Sequence, residues 1–97
     1  MTQHTDITLT FEEILAASCC RRDWLLELIE EEIISVNGRP EQTLYSGFQL
    51  ARIRRAQRLS RDFDAGIPAL GLIMRLLDEV EELRKAQQPL SLLNEGK

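Results

Sequence analysis

DWLLELIEEE, residues 23–32, decides the fold of this chain, because it defines an amphipathic helix and places its charge. Leu25, Leu28 and Ile29 recur at the i, i+3, i+4 interval, with Ile33 prolonging the stripe, as the buried side of a helix requires. Asp23, Glu27, Glu30 and Glu31 fall together on the opposite side, and Trp24, the single tryptophan, lies at the edge of that acidic face. The leucines are expected inside and the carboxylates outside.

Upstream, Thr10-Phe11-Glu12-Glu13 has the spacing of a capping box, which predicts a first helix over residues 11–17. Ser18-Cys19-Cys20 is a short turn, and the second helix starts at Arg22 or Asp23. Downstream, the β-branched run Ile33-Ile34-Ser35-Val36, the turn dipeptide Asn37-Gly38 and the returning Thr43-Leu44-Tyr45 predict a small β-hairpin wing. Ser46 with Gln49 caps a third helix whose apolar arc is Phe48, Ile53, Ala56, Leu59 and Phe63. Gly66 interrupts, Pro68 suits the first turn of a fourth helix, and that helix is expected to stop at residue 87 or 88, before Pro89. The expected class is mainly α: a winged helix-turn-helix of four helices, a small hairpin wing and a longer C-terminal helix. It occupies residues 8–88, between flexible tails at 1–7 and 89–97.

On the fourth helix, Ile73, Leu76, Val80 and Leu83 follow the alternating three- and four-residue steps of a coiled-coil seam, continued by Gln87 and Leu90. A homodimer through that seam is one reading; packing within one chain is the other. Leu70, Met74 and Leu77 form a neighbouring stripe suited to the domain's own core.

The net charge of −4 conceals a basic segment among acidic ones. Residues 37–61 hold six arginines against one acid, Glu41, while residues 21–36 hold five acids against Arg21 and Arg22. Arg54, Arg58 and Arg61 share one face of the third helix and could, with a wing, grip a phosphate backbone. A DNA reader, however, needs Arg, Lys, Asn or Gln at the major groove, and the second helix offers carboxylates there instead.

Catalysis and metal binding are not expected. The one histidine, His4, lies in the N-terminal tail, and no glycine-rich phosphate loop exists. No cofactor is implied. Adjacent Cys19 and Cys20 have no other cysteine to pair with, and they read as small residues filling a tight turn; a redox role, aided by Arg21 and Arg22, is the alternative. No stretch approaches the roughly 20 apolar residues of a membrane span. A cytoplasmic location is expected.

The order helix, turn, helix, wing, helix, long helix resembles the MerR-type winged helix-turn-helix over residues 8–86. Glu13-Ile14-Leu15-Ala16 looks like that family's first helix, and Glu30-Glu31-Glu32-Ile33-Ile34 resembles its helix-end motif of Glu, a Gly and Leu-Ile. Tyr45-Ser46 with Leu50 and Ile53 resembles the start of its third helix, and Phe63-Asp64-Ala65-Gly66-Ile67-Pro68 its junction between helices three and four. Two departures separate the chain from the DNA-binding members. Glu27, Leu28 and Ile29 stand where they place an arginine and aromatics, and Glu32 stands where their glycine would be. These departures, Gly66-Ile67-Pro68-Ala69-Leu70 and the stretch Leu76-Leu77-Asp78-Glu79-Val80-Glu81-Glu82-Leu83 make the chain similar to the CbpM family of chaperone modulators. The resemblance implies a partner, the J-domain of a DnaJ-like co-chaperone (CbpA), and inhibition of that co-chaperone by competition with Hsp70, which reads a basic J-domain helix. The expected contact residues are Asp23, Trp24, Glu27, Glu30 and Glu31, with Asp78, Glu79, Glu81 and Glu82 as a rival patch. The alternative is a MerR-like transcription regulator using the wing and Arg54, Arg58 and Arg61.

Overall fold

The computed structural model describes residues 7–95, and the side chains of residues 7–87. Strand β1 (Thr8–Leu9) leads into helix α1 (Phe11–Ser18), then helix α2 (Arg22–Glu30), a 3₁₀ turn at Pro40–Gln42, strand β2 (Tyr45–Ser46), helix α3 (Gly47–Phe63) and helix α4 (Ile67–Glu95). The core is one cluster in which Phe11 and Ile14 of α1, Leu25 and Leu28 of α2, Ile33, Ile34, Tyr45, Ile53 and Ala56 of α3, and Leu70 and Met74 of α4 are all buried. The fold class is mainly α, four helices with a small two-stranded antiparallel pair, as the sequence implies.

Both capping boxes form. The Glu13 amide donates to Thr10 Oγ1 at 3.1 Å and the Thr10 amide to the Glu13 carboxylate at 2.9 Å. Ser46 and Gln49 repeat the exchange at the start of α3, with distances of 3.3 and 2.7 Å. Each box satisfies amides that a helix start leaves without an intrahelical acceptor.

Helix α2 ends earlier than its apolar stripe. Glu32 takes φ 62°, a left-handed conformation, and two hydrogen bonds close the turn: the Ile33 amide to Leu28 O at 2.9 Å and the Glu32 amide to Ile29 O at 3.0 Å. That pair defines a Schellman closure, with Ile33 and Leu28 as its apolar contact. Ile33 thus reaches the core through the turn rather than on the helix.

The expected wing differs from the structure. Residues 33–36 form no strand, and the antiparallel pair instead joins β1 to β2, Thr8 opposite Ser46 and Leu9 opposite Tyr45. Adjacent Ile33 and Ile34 are both buried, which breaks the alternation a half-exposed strand needs. Side chains of α3 also occupy main-chain acceptors in this segment: Arg52 Nε donates to Ile33 O at 2.7 Å and Gln49 Nε2 to Ser35 O at 2.8 Å. The loop that replaces the hairpin is closed by Thr43 Oγ1, which donates to Arg39 O, and by the Tyr45 hydroxyl, which donates to Pro40 O, each at 2.8 Å.

Two further expectations need correction. Phe48 and Phe63, placed by the sequence on the apolar arc of α3, are about 60% exposed; the side of that helix on the core carries Ile53 and Ala56, with Leu50 and Leu59 packed beside them. Helix α4 continues through Pro89 to Glu95 rather than ending before it, so the described part of residues 89–97 is helical. A proline removes its own amide donor and crowds the preceding turn, which bends a helix without always ending it. The flexible tail expected over residues 1–7 lies, apart from Ile7, outside the described residues.

The left-handed position of Glu32 costs roughly 1–2 kcal/mol in a residue with a Cβ, offset in part by the extra unfolded-state freedom of glycine. Glu32→Gly is therefore expected to stabilise the fold by about 0.5–1 kcal/mol, seen as a rise of a few degrees in Tm. Tyr45, the single tyrosine, supplies a second check. Burial, reinforced by the nearby Glu41 carboxylate, pushes its phenol above the ordinary value. A raised folded value means that the associated stability is complete below the unfolded value of about 10 and is lost as pH rises through the folded one. Phenolate absorbance of the native protein should rise only above pH 10, and Tyr45→Phe should flatten the alkaline limb of a stability–pH curve.

Candidate functional site: the acidic face of the second helix and its flanking groove

The Leu25 and Leu28 side of α2 lies against the core, so the helix presents its carboxylates outward. Asp23, Glu27, Glu30 and Glu31 are all exposed. Asp23 is drawn into a local pair: Arg21 Nη2 lies 3.0 Å from its carboxylate, with both side chains open to solvent. That hydrogen bond is the main cause holding the Asp23 carboxyl below its ordinary value, and the same contact raises the Arg21 guanidinium. Among the described residues no ion pair reaches Glu27, Glu30 or Glu31.

Trp24 is half-buried at the edge of this face, packed against the core on one side. Its other side lines a shallow groove of about 350 Å³ between α2 and the C-terminal half of α3, completed by Cys20, Arg21, Gln57, Ser60 and Arg61. Gln57 is fixed there, because its Nε2 donates to Ser18 O, at the end of α1, at 2.8 Å. Cys20 Sγ receives a hydrogen bond from Ser18 Oγ at 3.2 Å, while Cys19, in a left-handed conformation at the end of α1, is exposed. Both thiols are free.

The rival acidic patch is divided. Arg52 grips Asp78 with both terminal nitrogens, at 3.3 and 2.8 Å, and Arg55 pairs with Glu81 at 3.2 Å. These acids tie α4 to α3; Glu79 and Glu82 remain exposed beside Arg75 and Leu83. Residue-by-residue reading missed this clasp. Arg52 and Arg55 on one helix match Asp78 and Glu81 on the other at the same three-residue step, and that shared spacing is the cue that could have revealed it.

The arginine face of α3 is also split. Arg54 donates to Ala17 O at 3.1 Å, near the C-terminus of α1, whereas Arg58 and Arg61 are exposed. With no hairpin at residues 33–45, Arg58 and Arg61 lack the wing expected beside them.

On α4, Ile73 is half-buried, but Leu76, Val80 and Leu83 are 51%, 42% and 64% exposed. With Leu72, at 56%, they form an apolar ridge on the outside of the helix; the side chain of Leu90 lies outside the described residues. Among the described residues no group of three or more His, Cys, Asp and Glu side chains could hold a metal ion, and no helix is long and apolar enough to cross a membrane.

Comparison with known proteins gives this geometry a context. Residues 9–92 match the family described as MerR HTH family regulatory protein. The chain is similar to a protein of Pseudomonas entomophila (strain L48) named chaperone modulatory protein CbpM, 30% identical over 63 residues. That match covers 64% of this chain and 62% of the Pseudomonas protein. A protein of the same name from Coxiella burnetii (strain Dugway 5J108-111) is 27% identical over 78 residues, covering 79% of this chain and 74% of its own length.

Proposed function

The chain belongs to the family of MerR helix-turn-helix regulatory proteins and, within it, to the CbpM proteins, and from that premise we propose that it is a non-enzymatic chaperone modulator. Its partner in this proposal is the J-domain of a DnaJ-like co-chaperone, CbpA, which it inhibits by covering the surface that Hsp70 would use. Asp23, Glu27, Glu30 and Glu31 supply the charge, and Trp24 supplies apolar area.

The observation that carries the reading is the state of the α2 acids: exposed on a rigid helix, with Glu27, Glu30 and Glu31 outside every ion pair of the described residues. Carboxylates already paired within the fold, as Asp78 and Glu81 are, would have to lose those partners before meeting another cation. Among the α2 acids only Asp23 is held in an ion pair, and Glu27 adds to the field at the same Arg21 guanidinium. A basic helix laid along them gains in encounter rate and specificity from the opposed charges, and an adjacent aromatic anchor contributes the buried area that lowers the dissociation rate.

The α4 ridge supports a second element of the proposal, self-association. Leu76, Val80 and Leu83, with Leu72 beside them, are exposed, and the four- and three-residue steps of the first three suit a second copy of the same helix.

Trp24, being the single tryptophan, reports on binding directly. Titration with a purified J-domain should change its emission, and a Glu27→Lys, Glu30→Lys variant should bind about ten-fold or more weakly at low salt, with the gap narrowing as salt rises. Equal affinity would remove α2 from the interface. In sedimentation, Val80→Asp should be monomeric under conditions where the wild type is dimeric, with the helix signal retained; identical sedimentation would reject the ridge as a dimer seam.

A further inference from the structure

The groove beside Trp24 is lined by two guanidiniums, of which Arg61 stands outside the ion pairs of the described residues. Arg21, at the start of α2, and Arg61, on α3, line it together with Trp24, Gln57, Ser60 and Cys20. Arg21 is engaged by Asp23, but Arg61 is exposed and makes none of the ion pairs among the described residues. The surface around α2 is therefore bipolar: carboxylates run along the helix, and a guanidinium-rimmed aromatic slot lies at its flank.

We infer that this slot receives a carboxylate-bearing side chain of the same partner, placed beyond the cationic residues that lie along Glu27 and Glu30. The inference rests on the partner reading above and adds to it the chemistry of a second contact. A guanidinium at the edge of an indole suits a carboxylate well. It offers charge-assisted, bidentate hydrogen bonds, and the aromatic wall shields them from water. Gln57 is held by its Nε2 donating to Ser18 O, which fixes that part of the slot's lining. A partner segment with only positive charge would fit the α2 acids but leave Arg61 facing like charge. The slot therefore discriminates between basic helices, favouring one that carries an acid at the matching end, and it fixes the direction in which that helix lies.

The experiment uses the full chain and a purified J-domain, with Trp24 emission and calorimetry as readouts. Arg61→Glu should weaken binding by about ten-fold, while Arg61→Lys should retain part of the affinity. Arg58→Glu makes the same change in net charge on the same helix, outside the slot, and should shift affinity less than about three-fold. Both arginines are exposed, so thermal melts are expected to show all three variants folded. Equal losses in the Arg61→Glu and Arg58→Glu variants would make the effect one of net charge and overturn the inference. Unchanged affinity in Arg61→Glu, alongside a loss in the Glu27→Lys, Glu30→Lys variant, would overturn the slot and leave the α2 reading standing. Failure of the wild type to bind any J-domain would overturn both.

Discussion

Glu32 occupies the left-handed region, and much of this molecule depends on the reversal made there. The closure brings Ile33 and Ile34 into the core immediately after a helix whose outer side is acidic. Arg52 then holds the turn to the rest of the fold, donating to Ile33 O and clasping Asp78 of α4 with its remaining nitrogens. One side chain thus joins the end of α2, the body of α3 and the shaft of α4. The contacts are partly open to solvent, so their value lies in geometry more than in charge energy: they fix the angle at which α2 shows its carboxylates.

The same tie gives some acids structural duties and leaves others outside the ion pairs of the described residues. Asp78 and Glu81 pair with Arg52 and Arg55, and Glu12 and Glu41 pair with Arg22, which also lies over the Phe11 ring at 4.9 Å. Glu27, Glu30 and Glu31 stand outside this network. In the proposed function this exposed acidic strip, beside the single tryptophan, meets a cationic partner. The basic segment 37–61 is accounted for in similar terms. Arg52, Arg54 and Arg55 serve contacts within the fold, leaving Arg58 and Arg61 outward on α3.

Elements with local chemical cues were legible before any coordinates. Thr10 with Glu13 and Ser46 with Gln49 announce helix starts because their side chains bond amides three residues away. Pro68 likewise falls in the first turn of α4. The wing was misread because β-branched residues at 33–36 suit a buried irregular segment as well as a strand, and only the side chains of α3, distant in sequence, decide which acceptors they leave open. Phe48 and Phe63 fit the helical period of α3, yet period cannot tell how much of a long helix the core will cover.

Read alone, the chain determined its helical class, the caps and the two sides of α2, since each depends on neighbours within a few residues. The tertiary structure decided which charges are already matched and which surfaces join. It set Arg61 and Trp24 along one groove, turned Arg54 toward α1, coupled Asp78 to Arg52 and left Leu76, Val80 and Leu83 outside. Those outcomes depend on how helices far apart in sequence pack around one core, and periodicity along a single helix carries no record of its neighbours.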